Sequence, residues 1–287
     1  MWVWGLVVAG LLILGASAIL IRIAGDAPAL ALAAGRTVAV SIVLAPWMLT
    51  TGRAEIARFT ARDWALSLAA GVLLGLHFIA WITSVQLTSV ASASVLVTMS
   101  PLFIAVLGGV FLNERPSRRT WAAIGVAVVG AVLIGLSERD GGVYPNPVLG
   151  NATALGAAFL VSVYLLIGRA VRQRTGFVAY FGTLNVAAAV TCVVGCLVSG
   201  VPLSLPWPIA LLAVGMGLGP GLLGHGSFTL ALRYMPAALL GLLSLAEPVV
   251  ASVVALFAFG EVPKPLAIVG MVAVLAAIAA VVTNRGR

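Results

Sequence analysis

Charge is what this sequence lacks most. Only 8% of its 287 residues are charged and eight of them are acidic, whereas 62% are hydrophobic. A soluble globular domain has about 25% charged residues, so the composition excludes one. It predicts a chain that lies almost wholly within a lipid bilayer, with short connections and no room for a soluble domain.

Cysteine and histidine are also scarce, with two of each. Cys192 and Cys196 lie four residues apart and could form a disulfide or bind a metal. Without a nearby histidine or acid, we interpret them as packing residues. The motifs HExxH, DxxD and GxSxG are absent, so the sequence shows neither a metal-and-pyrophosphate site nor an activated nucleophile. We therefore expect no metal, no cofactor and no enzymatic activity.

Long apolar runs make up nearly the whole chain. A transmembrane helix needs about 20 mostly apolar residues, and continuous apolarity is typical of helices rather than of alternating barrel strands. The first run has no basic leader and is longer than the core of a signal peptide, so we expect it to be a retained helix. The ten predicted spans lie near residues 3–22, 29–49, 64–85, 88–111, 119–136, 148–168, 177–199, 208–232, 237–259 and 265–283.

Arginine is distributed unevenly among the connections. With the N-terminus inside, twelve basic residues fall on the cytoplasmic side and three outside. The positive-inside rule then predicts that both termini are cytoplasmic, and that the net charge of +8 reflects topology rather than nucleic-acid binding. The twelve are Arg53, Arg58, Arg62, Arg115, Arg118, Arg119, Arg169, Arg172, Arg174, Arg233, Arg285 and Arg287, and the three are Arg22, Arg139 and Lys264.

The chain matches itself at an offset of 147 residues. SPLFIAVLGGVFLNERPS (100–117) aligns with EPVVASVVALFAFGEVPK (247–264), so that Pro101 pairs with Pro248 and Glu114 with Glu261. Such matching indicates two homologous halves of five spans each. Since five is odd, the second half enters the membrane inverted, an arrangement typical of secondary transporters. We predict an all-α integral membrane protein with ten transmembrane helices, as two inverted five-helix repeats at 1–140 and 141–287.

Over its whole length, the chain resembles the EamA-type branch of the drug/metabolite transporter superfamily. The markers are Arg36 in AAGRTVAV, and a proline followed by an apolar run ending in glutamate, PLFIAVLGGVFLNE (101–114) and PVVASVVALFAFGE (248–261). The resemblance implies an exporter or permease of small metabolites, often amino acids. It also implies a central cavity formed by spans one, three, four, six, eight and nine. It names no substrate, because members differ widely.

Glu247 lies within the apolar run LLSLAEPVVASVV. A charge in lipid is costly, so such a residue faces the protein interior or a wet cavity. It could exchange a proton during transport or hold a substrate ammonium group. Alternatively, it could hydrogen-bond to the backbone groups exposed by the helix break at Pro248. We favour this second role, because the family that the chain resembles commonly has an acid at this position of the motif. Ser100 is its counterpart in the first half.

Three further polar residues lie within spans. Arg36 could attract a substrate carboxylate, extend toward the outer interface, or pair with Asp26 or Glu247. His77 and His225, one position apart under the 147-residue shift, could relay protons or contact substrate. Neutral histidines that hydrogen-bond between helices are the more common case.

Other candidates come from aromatic, hydroxyl and proline residues. Aromatic side chains could form a cavity wall or pack, and the hydroxyls of residues 81–101 could line an aqueous path or bond to backbone. Pro101, Pro220 and Pro248 are predicted helix-break and gating positions. The cavity candidates are Ser17, His77, Phe78, Trp81, Ser100, Phe159, Tyr164, His225, Phe228, Ser244 and Glu247, with Glu247 and Arg36 as coupling candidates.

These features predict a transporter of small neutral or aromatic metabolites such as amino acids, working by alternating access in a bacterial inner membrane. The few embedded cations argue against phosphorylated substrates. Lipophilic cations and drugs are the alternative substrates, and an intramembrane enzyme, a channel or a structural protein are the other classes. The drive could be a proton gradient or downhill efflux. We expect a functional monomer, with a dimer as the alternative.

Overall fold

A computed structural model describes residues 2–112, 116–137, 144–259 and 262–282, and this part of the chain is helical without strands. Helices satisfy all of their backbone hydrogen bonds internally, as a bilayer requires. Within the described residues, nine segments are long and apolar enough to cross a membrane. The chain is therefore an all-α integral membrane protein. Glu114, Glu261, Arg115, Arg139, Arg285 and Arg287 lie outside the described residues.

Eight helices form the first half. They are α1 (Trp2–Gly15), α2 (Ser17–Ile23), α3 (Ala29–Leu49), α4 (Arg53–Ile56), α5 (Ala61–Leu87), α6 (Val90–Val97), α7 (Ser100–Phe111) and α8 (Arg118–Ser137). The α8 helix corresponds to the predicted span 119–136 and packs against the last helix of the chain. The other nine predicted spans coincide with the nine membrane-length segments.

The second half contains seven α-helices and one π-helical segment. They are α9 (Pro147–Arg172), α10 (Phe177–Val198), α11 (Trp207–Met216), the π segment (Gly217–His225), α12 (Gly226–Ala231), α13 (Ala237–Ser244), α14 (Glu247–Phe259) and α15 (Pro265–Val282).

The fourth and ninth spans are each broken just before a proline. In the first half, α6 ends at Val97 and α7 begins at Ser100. In the second half, α13 ends at Ser244 and α14 begins at Glu247, 147 residues further on. Proline lacks the N–H that would continue the helix and disfavours helical geometry in the residue before it. Both breaks therefore follow from the shared proline.

The π segment replaces an α-helix in the middle of the eighth span. Pro220 lies inside it and has no N–H to offer to the Met216 carbonyl four residues earlier. A π-helix pairs each carbonyl with the N–H five residues on, which for Met216 belongs to Gly221. The widened turn thus supplies the donor that the proline removes.

Glycines let neighbouring spans approach closely. A Cβ on Gly71 of α5 would lie 2.3 Å from the Leu184 carbonyl oxygen of α10, and one on Gly75 would lie 3.0 Å from the Ala188 carbonyl oxygen. Two glycines four residues apart on one helix face allow such packing in membranes. The close fit joins the third span to the seventh, and therefore one half of the chain to the other.

Helix contacts occur in exchanged pairs between the halves. Helix α5 packs against α9 and α10, and the π segment, which aligns with part of α5, packs against α1 and α3. Helix α9 contacts α6 and α7, while α1 contacts α14. The remaining contacts include α3 with α10 and α8 with α15, which pair aligned helices. The largest interfaces between the halves thus have counterparts when the halves are exchanged: α5 with α9 corresponds to the π segment with α1, and α5 with α10 to the π segment with α3.

Arginine-rich connections meet at one end of the bundle. The Nε atom of Arg174, after α9, lies 2.7 Å from the Asp63 carboxylate at the start of α5. The Glu55 carboxylate of α4 accepts a hydrogen bond from the Gly176 backbone N–H. Both contacts join the first half to the second. We call this end the arginine-rich face.

Connections with fewer basic residues meet elsewhere. The Gln86 side-chain amide, near the end of α5, donates to the Ala27 carbonyl at 2.8 Å. The Asn146 backbone N–H, just before α9, donates to the Leu87 carbonyl at 3.3 Å. The connections after the first, third and fifth spans therefore lie together, away from the start of α5 where the arginine-rich face is.

Candidate functional site

A cavity lies between the two halves, near the middle of the membrane-spanning segments. Its volume is about 80 Å³. A polar cavity needs about 10–15 Å³ to hold one water, so this one has room for several. The predicted candidates that line it are Ser17, His77, Phe78, Trp81, Ser100, Tyr164, His225, Phe228, Ser244 and Glu247, and Arg36 and Pro248 line it as well.

Phe159 is the cavity candidate that the structure places elsewhere. Its side chain is 45% exposed, and its ring meets that of Phe103 edge-on at a centroid distance of 5.7 Å. The neighbouring positions Val161, Tyr164 and Leu165 line the cavity instead. On α9, residue 159 projects to a different side of the helix, which its aromatic character could not reveal.

Several lining residues were not among the candidates. They are Leu14, Gly15, Ala18, Ser94, Val97, Thr98, Val161, Leu165 and Ala251. Most are small or apolar and indistinguishable in sequence from lipid-facing positions. Ser94 and Thr98 belong to the hydroxyl-rich stretch, and Thr98 also donates to the Ser94 carbonyl at 2.9 Å. The two interpretations of this stretch, cavity lining and backbone bonding, therefore both apply to Thr98.

Arg36 is the most deeply buried charge of the cavity. Its side chain is 1% exposed, and its guanidinium carbon lies 3.8 Å from the centre of the Phe78 ring. Its Nε and Nη1 atoms have no hydrogen-bond partner among the described residues. The predicted ion pairs with Asp26 or Glu247 do not occur in the described part of the chain. The predicted extension toward the interface is also wrong, because the side chain is buried.

Glu247 begins α14, directly after the break in the ninth span. Hydrogen bonds at this break come from neighbouring hydroxyls, since Ser244 donates to the Gly241 carbonyl at 2.7 Å and Ser252 to the Pro248 carbonyl at 2.9 Å. Within the described residues, no hydrogen bond or ion pair involves the Glu247 carboxylate. The geometry therefore favours a Glu247 carboxylate that is available to a ligand in the cavity over one that hydrogen-bonds to the backbone at the helix break.

The two histidines lie side by side in the cavity wall. Their ring centroids are 5.8 Å apart. The Nδ1 atom of His77 lies 2.8 Å from the Ala157 carbonyl oxygen of α9, and that of His225 lies 3.4 Å from the Tyr164 hydroxyl. His77 thus has the interhelical hydrogen bond expected of a structural histidine, and His225 is linked to Tyr164 within the cavity.

Aromatic rings from both halves line the cavity. Trp81 of α5 and Phe228 of α12, which align at the 147-residue offset, both line it. The Phe78 ring packs edge-on against His225, with centroids 5.1 Å apart. Large aromatic surfaces next to a few polar groups are typical of small-molecule sites.

A polar connection runs from the cavity wall toward the arginine-rich face. The Tyr164 hydroxyl lies 3.4 Å from the Thr229 hydroxyl. Thr229, fully buried, accepts a hydrogen bond at its backbone carbonyl from the Nε of Arg172. Buried side chains thus lie between this part of the cavity wall and the arginine-rich face.

The remaining candidates have structural contacts. Pro101 packs against Gly241 of α13, where an added Cβ would lie 3.3 Å from the Pro101 Cα. Pro220 is buried within the π segment. Cys192 and Cys196 are free and buried, and the Cys192 thiol contacts the Gly75 carbonyl at 3.7 Å.

The fold is that of an integral membrane protein with a cavity between its two halves, and sequence comparison identifies its family. A model described as the EamA-like transporter family matches residues 1–136 and again residues 148–283. The chain belongs to this family and is a membrane transporter. The second match begins 147 residues after the first, at the offset found within the sequence.

Curated relatives include two exporters. The chain is 26% identical, over 84% of its length and 77% of the relative's, to a protein of Ancylobacter novellus named aromatic amino acid exporter YddG. It is 32% identical, over 62% of its length and 59% of the relative's, to a probable terminal-alkyne amino-acid exporter of Streptantibioticus cattleyicolor. A solved structure, 20% identical, shares the fold with a TM-score of 0.80 over 97% of this chain and 96% of its own.

Proposed function

We propose that the protein exports neutral and aromatic amino acids by alternating access. The observation that carries the proposal is the pair of opposite charges in one aromatic-walled cavity. Arg36 and Glu247 both line it, and neither has an ionic partner among the described residues. A zwitterion brings one group for each, so that its binding satisfies both charges at once.

The cavity wall suits an apolar or aromatic side chain. Phe78, Trp81 and Phe228 supply ring surface, and Leu14, Val97 and Val161 add aliphatic surface. Aromatic rings in contact gain about 0.5–1.5 kcal/mol beyond the burial of their area. The names of the two exporter relatives agree with such a substrate.

The same charges argue against the other substrate classes. A phosphorylated substrate calls for several cations, and Arg36 is the single arginine or lysine of the described lining. A lipophilic cation would find Glu247 but would be repelled by Arg36. We therefore favour a zwitterion over a drug-like cation.

Repeat architecture supports alternating access. The family model matches twice, the interfaces of α5 with α9 and α10 have counterparts in the other half, and a proline breaks the fourth and ninth spans at equivalent positions. Inverted repeats with broken helices around a midplane site are the arrangement used by many secondary transporters. We infer ten spans in two inverted halves, with the arginine-rich face in the cytoplasm of a bacterium.

Counterflow in proteoliposomes tests the proposal. Vesicles are loaded with excess unlabelled phenylalanine, threonine or methionine, and the accumulation of trace labelled amino acid is followed with and without a pH gradient. We expect a transient overshoot, strongest for phenylalanine, which a channel would not produce. Stimulation by the pH gradient would show proton coupling, and its absence would indicate downhill export.

No overshoot with any amino acid would overturn the amino-acid assignment. The same vesicles then test tetraphenylphosphonium, a lipophilic cation, whose counterflow would establish the alternative substrate class.

A further inference from the structure

Arg36 has hydrogen-bond donors that find no partner among the described residues. A guanidinium group presents five N–H donors in a planar fork. The Nε and Nη1 donors are buried without a partner among the described residues, and the side chain lines the cavity. Buried polar groups are nearly always satisfied, and unsatisfied ones call for an explanation. A partner that enters with the substrate provides one.

The surroundings hold the guanidinium in a fixed position. The Phe78 ring lies beneath it at 3.8 Å, a contact that arginine makes through both its charge and its planar face. On another side, the π segment approaches α3 so closely that a Cβ on Gly217 would lie 2.4 Å from the Arg36 carbonyl oxygen. A Cβ on Gly221 would lie 4.0 Å from Nη2. The guanidinium group is thus confined, while its Nε and Nη1 atoms have no hydrogen-bond partner among the described residues.

The second half of the chain offers no equivalent group. At the 147-residue offset, Arg36 aligns with Thr183, whose hydroxyl donates to the Ala179 carbonyl of its own helix at 2.7 Å. Thr183 is not among the residues that line the cavity, whereas Arg36 is. Within the described lining, a carboxylate therefore finds a guanidinium partner only from the first half of the chain.

We propose that Arg36 binds the α-carboxylate of the transported amino acid through its Nε and Nη1 atoms, so that the carrier selects substrates with a free carboxylate. The inference rests on the proposed function and deepens it. A carboxylate matches the planar fork with two parallel hydrogen bonds, and an ionised acceptor gives stronger bonds than a neutral one. An amide keeps the size and shape of the substrate but lacks that charge.

Isothermal titration calorimetry of the detergent-solubilised full chain tests the carboxylate requirement directly. The ligands are phenylalanine, phenylalaninamide and 3-phenylpropanoate. Wild type should bind phenylalanine at least tenfold more tightly than phenylalaninamide. Arg36→Met, which removes the charge but keeps bulk above Phe78, should weaken phenylalanine binding at least tenfold. It should also bring the ratio of the two affinities close to one.

Two further variants separate recognition from folding. Arg36→Lys keeps the charge but loses the fork, so it should retain part of the preference for the carboxylate. Arg22→Gln, which changes an exposed arginine in the last turn of α2, should leave all affinities unchanged. If Arg36→Met prevented folding, the lysine variant alone would still have to show a reduced ratio.

The outcomes distinguish this inference from the proposed function. Amino-acid counterflow with equal affinity for phenylalanine and its amide, or with an unchanged ratio in Arg36→Met, would overturn the role of Arg36 and leave the export function standing. Loss of amino-acid counterflow together with Arg36-dependent binding of 3-phenylpropanoate would overturn the export function and leave a carboxylate site.

Discussion

Two opposite charges, Arg36 and Glu247, line one cavity without forming an ion pair in the described part of the chain. A mutual salt bridge would have satisfied both in the empty protein and would have competed with any ligand. Keeping them apart leaves each charge incompletely compensated, an arrangement that costs stability but gains affinity for a molecule carrying both complementary groups.

The Glu247→Gln variant should lose affinity for the substrate ammonium group. A hydrogen bond to a charged group contributes about 1.5–3 kcal/mol, so phenylalanine binding should weaken by roughly tenfold or more. Binding of 3-phenylpropanoate, which has no ammonium, should change little or improve. Calorimetric titration of both ligands checks this prediction.

The matched control is Asp26→Asn, an exposed acid in the connection before α3. Equal weakening of both ligands in Glu247→Gln would contradict the ammonium role and indicate a general effect of Glu247 on the helix break.

Sequence could identify the polar part of this site but not its apolar part. A histidine, arginine or glutamate in a membrane span must avoid lipid, so its presence alone predicts an inward position. Apolar side chains such as those of Leu14, Val97 and Val161 are stable both in lipid and in a cavity wall, so the sequence does not show which of the two they face. Phe159 was mistaken for a lining residue for the same reason, since aromatic character does not tell which side of a helix faces inward.

At the scale of single elements, the helix breaks could be predicted from the sequence, whereas the π segment could not. The breaks before Pro101 and Pro248 follow from the steric effect of proline on the residue before it. The two prolines occupy equivalent positions in the repeat, so the same effect occurs in both halves. Pro220 allowed only a general distortion to be predicted. A proline alone does not determine whether a helix kinks, breaks or widens into a π turn. Here the π form occurs beside the close approach of Gly217 to α3.

Packing at Gly217 makes the π segment testable. Gly217→Ala would place a methyl group 2.4 Å from the Arg36 carbonyl oxygen, so one helix must shift. Overpacking of this kind costs about 1–3 kcal/mol. We expect a lower midpoint of thermal unfolding and weaker phenylalanine binding, because the shift displaces Arg36. Size-exclusion chromatography after heating and calorimetric titration measure the two effects.

Gly215→Ala and Gly219→Ala are the matched controls. An added Cβ meets nothing within 4 Å at Gly215, and only the Ile13 side chain at 3.7 Å at Gly219. Both variants should be neutral or slightly stabilising, because alanine is the better helix former. A Gly217→Ala variant as stable as these would show that the helices separate without cost.

At the scale of the whole molecule, the contacts between halves at the arginine-rich face bear on transport. Asp63 and Glu55 of the first half contact Arg174 and Gly176 of the second. Alternating access requires that one side of the cavity opens while the other closes, so contacts across a closed side must break in the cycle. We expect these two to stabilise the state with the arginine-rich face closed.

A cysteine placed behind the cavity wall would report opening of that face. Thr229 is fully buried, with its hydroxyl near Tyr164 and its carbonyl bonded to Arg172. In a Thr229→Cys variant with the native cysteines changed to alanine, a water-soluble maleimide should react only when the face opens. Adding Asp63→Asn should raise the labelling rate, because it removes the ion pair with Arg174.

The size of the effect follows from the exposure of the pair. The Arg174 side chain is 43% exposed and that of Asp63 is 9% exposed, so the pair contributes at most about 1 kcal/mol, equivalent to roughly a fivefold change in labelling. Asp63 also caps α5 through Thr60, so Arg174→Gln serves as the control that breaks the ion pair and spares the cap. Similar acceleration by both variants would identify the ion pair as a lock on this face. Acceleration by Asp63→Asn alone would assign the effect to the cap, and unchanged labelling in both would show that the face opens without breaking the contact.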